Sequence, residues 1–124
     1  MGKEKLFENR VKRLLESYKI YPLGGRYKND IQGVYEKRWG GGYFTKAGLP
    51  DLHVTYLGVT IEIELKAENG TVSPLQERTM EQLNKAKIIS MVLRPSQINE
   101  LVGLLDAMSK TQGNKDEKEK CDNE

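Results

Sequence analysis

The chain has 124 residues, 37% of them hydrophobic and 31% charged, with a formal net charge of +2. That length fits one domain with one modest core, and no stretch approaches the roughly 20 apolar residues of a membrane span. The single cysteine, Cys121, excludes an intrachain disulfide and argues against a thiolate zinc site.

The opening Met-Gly-Lys-Glu-Lys has no apolar core of the signal-peptide kind, so a cytoplasmic protein without membrane attachment is expected. Charge is unevenly spread. Up to Gly48 there are eleven basic and five acidic residues, an excess of six. Such asymmetry suits a polyanionic partner such as DNA or RNA; a solvated helix face would read the same way.

In chain order, Lys3 to about Lys19 predicts an amphipathic helix. Leu6, Phe7, Arg10, Val11, Leu14, Leu15 and Tyr18 form a stripe at helical spacing, and Pro22 with Gly24-Gly25 is expected to stop it. Arg26 to Gly48, rich in Gly, aromatic and basic residues, reads as loop with at most a short strand or turn. Asp51 to Leu57 and Val59 to Ala67 alternate as two strands around a tight turn at Gly58, which predicts a β-hairpin. Ser73-Pro74-Leu75-Gln76 is a helix start: Ser73 caps, Pro74 suits the first helical position, and Gln76 closes a capping box. That helix should reach about Ala86. Ile88 to Leu93 is a short apolar run read as a buried strand, which makes a βαβ crossover. Arg94-Pro95-Ser96 starts a last helix with Ile98, Leu101, Leu104, Leu105 and Met108 toward the core. The expected division is one domain over residues 1–109 and a charged, disordered tail over 110–124.

The chemistry concentrates in Gly48-Leu49-Pro50-Asp51 and Ile61-Glu62-Ile63-Glu64-Leu65-Lys66. Glu64 and Lys66 are two apart on a strand and share a face. The hairpin brings Asp51 to the neighbouring strand. Two carboxylates that close repel unless a cation lies between them, and a hard ion such as Mg²⁺ suits oxygen ligands, with the Leu65 carbonyl as a further one. Such an ion, with Lys66 orienting water or offsetting phosphate charge, is what phosphodiester hydrolysis needs. A surface Glu-Lys pair and a Pro-Asp turn are the plainer reading of each piece alone.

Together the pieces Gly48-Leu49-Pro50-Asp51-Leu52, Ile63-Glu64-Leu65-Lys66 and Ser73-Pro74-Leu75-Gln76 resemble the VRR-NUC domain of the PD-(D/E)xK nuclease superfamily, over about Glu8 to Leu105. The resemblance implies an α/β, restriction-endonuclease-like core, with a central mixed β-sheet flanked by helices. It implies a metal-dependent endonuclease in which Asp51, Glu64 and the Leu65 carbonyl hold Mg²⁺ or Mn²⁺. Lys66 would be the catalytic lysine, Gln76 a supporting active-site residue, and Glu8 the acidic residue of the first helix, a further metal ligand. Standalone phage or bacterial forms look like Holliday junction resolvases, which implies branched DNA as substrate, a role in DNA repair and a homodimer. One departure is Lys85-Ala86-Lys87, where the family often places a Gly between helix and strand.

Several residues keep two readings. Glu8 is also a candidate solvated carboxylate. Glu62 either faces the site with Glu64 or lies in solvent, the second being favoured. His53, on the face of Asp51, contacts a phosphate or is structural. Lys37, Arg38 and Lys46 are candidate DNA contacts, with Trp39 and Phe44 stacking on bases or filling core; Gly40-Gly41-Gly42 lacks the ending of a phosphate-binding P-loop. The competing function is a catalytically silent nucleic-acid-binding module on the same fold. A restriction-type endonuclease would need a sequence-reading insertion for which the chain has little room.

Overall fold

The computed structural model describes residues 2–26, 28–38 and 48–122, and of residues 112–122 the backbone alone. The amphipathic opening folds as helix α1 (Lys3–Ser17), which buries Phe7, Glu8, Val11 and Leu15. It stops short of Lys19, well before Pro22. Tyr18 and Lys19 donate their backbone N–H groups to the carbonyls of Leu15 and Glu16. Lys19 then takes a left-handed conformation, φ 63°, that turns the chain out of the helix.

Five strands follow: β1 (Ile20–Pro22), β2 (Gly33–Lys37), β3 (Leu52–Tyr56), β4 (Val59–Leu65) and β5 (Ile89–Leu93). They form one mixed sheet in chain order. β1 runs parallel to β2, β2–β3 and β3–β4 are antiparallel, and β4 runs parallel to β5. The hairpin β3–β4 and the parallel β4–β5 pair, joined through helix α2 (Pro74–Lys85), match the sequence reading. The hairpin turn is Leu57-Gly58, with φ of 50° and 81°; two positive φ values suit the right-handed twist of the flanking strands.

β1 and β2 were the elements least legible in sequence. β1 is three residues long and ends in Pro22, which an edge strand tolerates because it leaves one row of backbone groups unpaired. β2 starts at Gly33, where a Cβ would lie 2.3 Å from the Thr55 carbonyl oxygen. A glycine that reads as a loop signal is thus required by close strand packing.

The sheet has two unlike faces. Leu52, Val54, Tyr56, Ile61, Ile63 and Leu93 meet Val11 and Leu15 of α1 and Leu101 and Leu105 of helix α3 (Ile98–Asp122) in one core, all of them essentially inaccessible. Truncating one such leucine to Ala would cost roughly 2–5 kcal/mol. On the other face α2 covers β5, where Ser90 Oγ donates to Asn84 Oδ1 at 2.6 Å. By strand alternation this second face carries His53, Glu62 and Glu64, so the sheet's interior there is polar.

A 3₁₀ turn, Pro95–Gln97, leads into α3. The α3 backbone stays helical to Asp122, past the domain end expected at residue 109. Among the described residues no helix is long and apolar enough to cross a membrane.

Candidate active site

Asp51 and Glu64 meet because of the hairpin register. Leu52 pairs with Ile63, so one step further out Asp51 stands opposite Glu64. Two devices aim Asp51 there. Gly48 has φ 86°, and a Cβ on it would lie 2.7 Å from Leu75 Cγ of α2; the chain turns there at the only residue type with both the conformational freedom and the small size. On the other side Arg38 donates from its backbone N–H to the Asp51 carbonyl at 2.7 Å and from Nη1 to the Pro50 carbonyl at 3.1 Å. The Asp51 carboxylate then accepts a hydrogen bond from the Leu65 N–H, 2.9 Å from Oδ2. That ties it to the backbone between Glu64 and Lys66.

Glu64 is 3% exposed. Its Oε1 accepts from Gln76 Nε2 at 3.0 Å and lies 3.8 Å from Lys66 Nζ. Its Oε2 is buried with no hydrogen-bond partner. Burial first, then the adjacent Asp51 carboxylate, pushes the Glu64 carboxyl up to about 7, with Lys66 pulling the other way. Leaving a charged buried acceptor unsatisfied costs more than the ~1–3 kcal/mol of a neutral one. A site arranged in this way favours a positive charge between the two carboxylates.

Gln76 carries two tasks. Ser73 Oγ accepts from the Gln76 N–H at 3.1 Å, while Gln76 Oε1 accepts from the Ser73 N–H at 3.0 Å. This is the expected capping box at the start of α2. Because the amide oxygen is committed to the cap, the amide nitrogen faces Glu64 as a donor. The helix start therefore fixes the polarity of the group that holds the buried carboxylate.

These residues open on a cavity of about 460 Å³ whose walls include Asp51, Glu64, Leu65, Lys66, Gln76, Gly70, Phe7, Glu8 and Lys37. Its lip after β4 is clamped by Arg94, whose Nη1 donates to the carbonyls of Ala67 at 2.7 Å, Glu68 at 3.2 Å and Gly70 at 2.7 Å. Glu68 closes the clamp by accepting from Ser96 Oγ at 2.9 Å. Arg94 was read only as part of a helix start; nothing local in the sequence marks it as the anchor of a loop far away along the chain.

Not every expected site residue converges. Glu8 lines the cavity, but Lys5 and Lys12 lie 2.8 and 3.2 Å from its Oε2 and Lys37 closes on its Oε1. Burial would raise the Glu8 carboxyl; the three ammonium groups outweigh it and hold the group down at about 2. Among the described residues no three carboxylate, imidazole or thiol side chains converge as a metal-holding group; Asp51, Glu64 and Leu65 line the same cavity. Arg38, expected as a DNA contact, is turned inward: Nη1 and Nη2 grip Glu62 at 2.6 and 3.0 Å. Lys37 likewise engages Glu8. Glu62 is neither in the cavity nor in solvent but 4% exposed, held by Arg38 and His53 Nδ1. Its place between Ile61 and Ile63 on a strand buried on both faces was the available signal, since a buried charge demands a partner. Lys46, Trp39 and Phe44 lie outside the described residues.

The class of site is thus a pocket at the ends of the central strands β3 and β4, with two abutting carboxylates, a lysine and a glutamine from a capped helix. Comparison with family models, with curated proteins and with solved structures finds no match to this chain.

Proposed function

We propose that this protein is a divalent-cation-dependent nuclease that hydrolyses DNA phosphodiester bonds, on a restriction-endonuclease-like core. The observation that carries the reading is Glu64 Oε2, a buried oxygen without a partner next to a second carboxylate, with Lys66 at the next position on the same face. The donor set fits a hard ion: all oxygen, anionic, and partly fixed in place by Gln76 and the Leu65 N–H.

Asp51, Glu64 and the Leu65 carbonyl would hold the ion. When bound, Mg²⁺ or Mn²⁺ supplies Lewis-acid polarisation of the phosphoryl group and activation of the attacking water. The remaining work belongs to the chain. Lys66 lines the cavity and can donate to a phosphate oxygen, offsetting the charge that builds in the transition state. Gln76 keeps Glu64 oriented, and the Arg38 contacts keep Asp51 opposite it. Positioning and fixed charge of this kind must remove on the order of 20 kcal/mol of barrier.

The combined motif resemblance favours branched DNA, such as a four-way junction, and a homodimer that makes paired cuts. The test is a cleavage panel of four-way junction, flap and linear duplex with and without Mg²⁺ or Mn²⁺, run beside light scattering. Cleavage that needs the metal and disappears in Asp51→Asn is the expected result. A folded protein that cuts none of the three would end the nuclease reading. A monomer on junction DNA would end the dimeric resolvase part alone.

A further inference from the structure

A second groove leads off the active-site cavity along α1. Lys3, Leu6 and Arg10 are spaced three and then four residues apart, so they share one stripe of the helix. With Phe7, Glu68 and Pro95 they line a groove of about 380 Å³. Phe7 lines both this groove and the active-site cavity. A smaller pocket of about 240 Å³ bridges the two: it shares Glu4 and Ala67 with the cavity, and Lys3, Glu68 and Pro95 with the groove. The floor of the groove is apolar, and Leu6 stands 54% exposed there beside the buried Phe7. Its edges are cationic. Among the described residues no carboxylate lies within ion-pair distance of Lys3 or Arg10. Glu68 turns both its oxygens to the Ser96 N–H and Oγ, so its charge is already met by donors of the fold. Glu4, at the junction of pocket and cavity, is exposed.

We propose that this groove is a subsite for an unpaired nucleotide of the DNA strand being cut. The inference rests on the nuclease reading and extends it to the form of the substrate. A base lies against the floor of Leu6, Phe7 and Pro95, and the phosphates on either side of it meet Lys3 and Arg10. In continuous duplex every base is paired and stacked, so there is no free base face for the floor to receive. Only a strand that has left its partner lays a base there, and any base serves, because each offers an apolar face. A strand whose scissile phosphate sits at Asp51 and Glu64 reaches the groove past Phe7, so the unpaired nucleotide neighbours the cut. A second copy of the chain fits the groove less well. A two-fold contact would set the cations at its edges against their own copies.

The test measures binding rather than cutting. In the non-cutting Asp51→Asn background, anisotropy follows two fluorescein-labelled duplexes of equal length, one fully paired and one with a splayed, unpaired end. Lys3→Ala/Arg10→Ala should weaken binding of the splayed DNA about tenfold and lower its slope of log Kd against log salt by ~1–2, as the loss of one or two phosphate contacts does. Leu6→Ser should weaken it about fivefold with the slope unchanged, since an apolar contact is lost and no charge. Neither variant should change binding of the fully paired duplex by more than about twofold. Lys85→Ala, which removes a charge from an exposed pair on α2, should change neither DNA. Lys3, Leu6 and Arg10 are all exposed, so these variants should unfold in urea as the parent does. Groove variants indistinguishable from Lys85→Ala, or weakened equally on both DNAs, overturn the proposal. So does a parent that is dimeric by light scattering and becomes monomeric in Leu6→Ser, which makes the groove a subunit interface. A parent protein that cuts DNA while the groove variants behave like Lys85→Ala fails this inference alone. One that neither binds nor cuts DNA fails the nuclease reading with it.

Discussion

Glu62 and Glu64 lie two residues apart on β4, on the same face and almost equally buried at 4% and 3% exposure. Their surroundings differ. Glu62 has a two-pronged guanidinium and an imidazole around it, so its charge is met within the protein. Glu64 has one amide donor, a distant ammonium, and an oxygen without a partner. A buried carboxylate that is fully paired serves the fold. One that is left short of partners beside another carboxylate costs stability, and that cost makes sense where an ion or a reaction uses it.

The comparison can be broken by substitution, and the largest effect belongs to catalysis. Glu64→Gln, Asp51→Asn or Lys66→Ala should each lower kcat/KM for DNA cleavage about a thousandfold, equivalent to ~4 kcal/mol. Glu62→Gln should leave residual activity in proportion to the folded fraction. A Glu62 variant as dead as Glu64→Gln while fully folded would erase the distinction.

Stability should show the reverse order. Glu62→Ala strands Arg38 and should cost about 3 kcal/mol in urea unfolding, while metal-free Glu64→Gln should be as stable as the parent or more so. Next in size is the response to metal. At a free Mg²⁺ or Mn²⁺ concentration 100-fold above its Kd, the parent should gain ~2.7 kcal/mol, seen as a rise of several degrees in melting temperature; Glu64→Gln should gain little. An equal rise in both would place the ion elsewhere.

Gln76→Glu sharpens the comparison further. The new carboxylate can keep accepting from the Ser73 N–H, so α2 keeps its cap, but the donor facing Glu64 becomes a second anion. Cleavage should fall about tenfold, ~1.4 kcal/mol, with the melting temperature in Mg²⁺ little changed. The smallest effect appears only in acid. Glu8 has its carboxyl lowered to about 2 by the lysines around it, so its contribution is full above the unfolded value near 4.5. It is lost as pH falls from there through 2. The parent should therefore lose more stability over that window than Glu8→Gln does; equal acid profiles would mean that the lysines contribute nothing to the fold.

Much of this arrangement was legible along the chain because it is local. Strand alternation set Glu64 and Lys66 on one face, and the turn at Gly58 set the hairpin that carries Asp51 to Glu64. The Ser73–Gln76 capping box follows from four consecutive residues. Lys85-Ala86-Lys87 lacked the usual glycine, and the chain answers with Lys87 itself in the left-handed region at φ 67°, a strained conformation that the flanking helix and strand hold in place.

What only the tertiary structure decided are the partners of charges far apart in sequence. Arg38 reads as a basic loop residue until β2 is laid beside β3, which brings it to Glu62 and the Pro50 carbonyl. Arg94 becomes the clamp on Ala67, Glu68 and Gly70 only because β5 runs parallel to β4. Glu8 looks like a ligand or a solvated residue until α1 meets the end of β2 and Lys37 closes on it. Alternation and capping are short-range rules of backbone geometry, so residue order is enough to state them. Which cation a buried carboxylate takes depends on the whole chain's packing, because electrostatic pairing acts through space with no preference for neighbours in sequence.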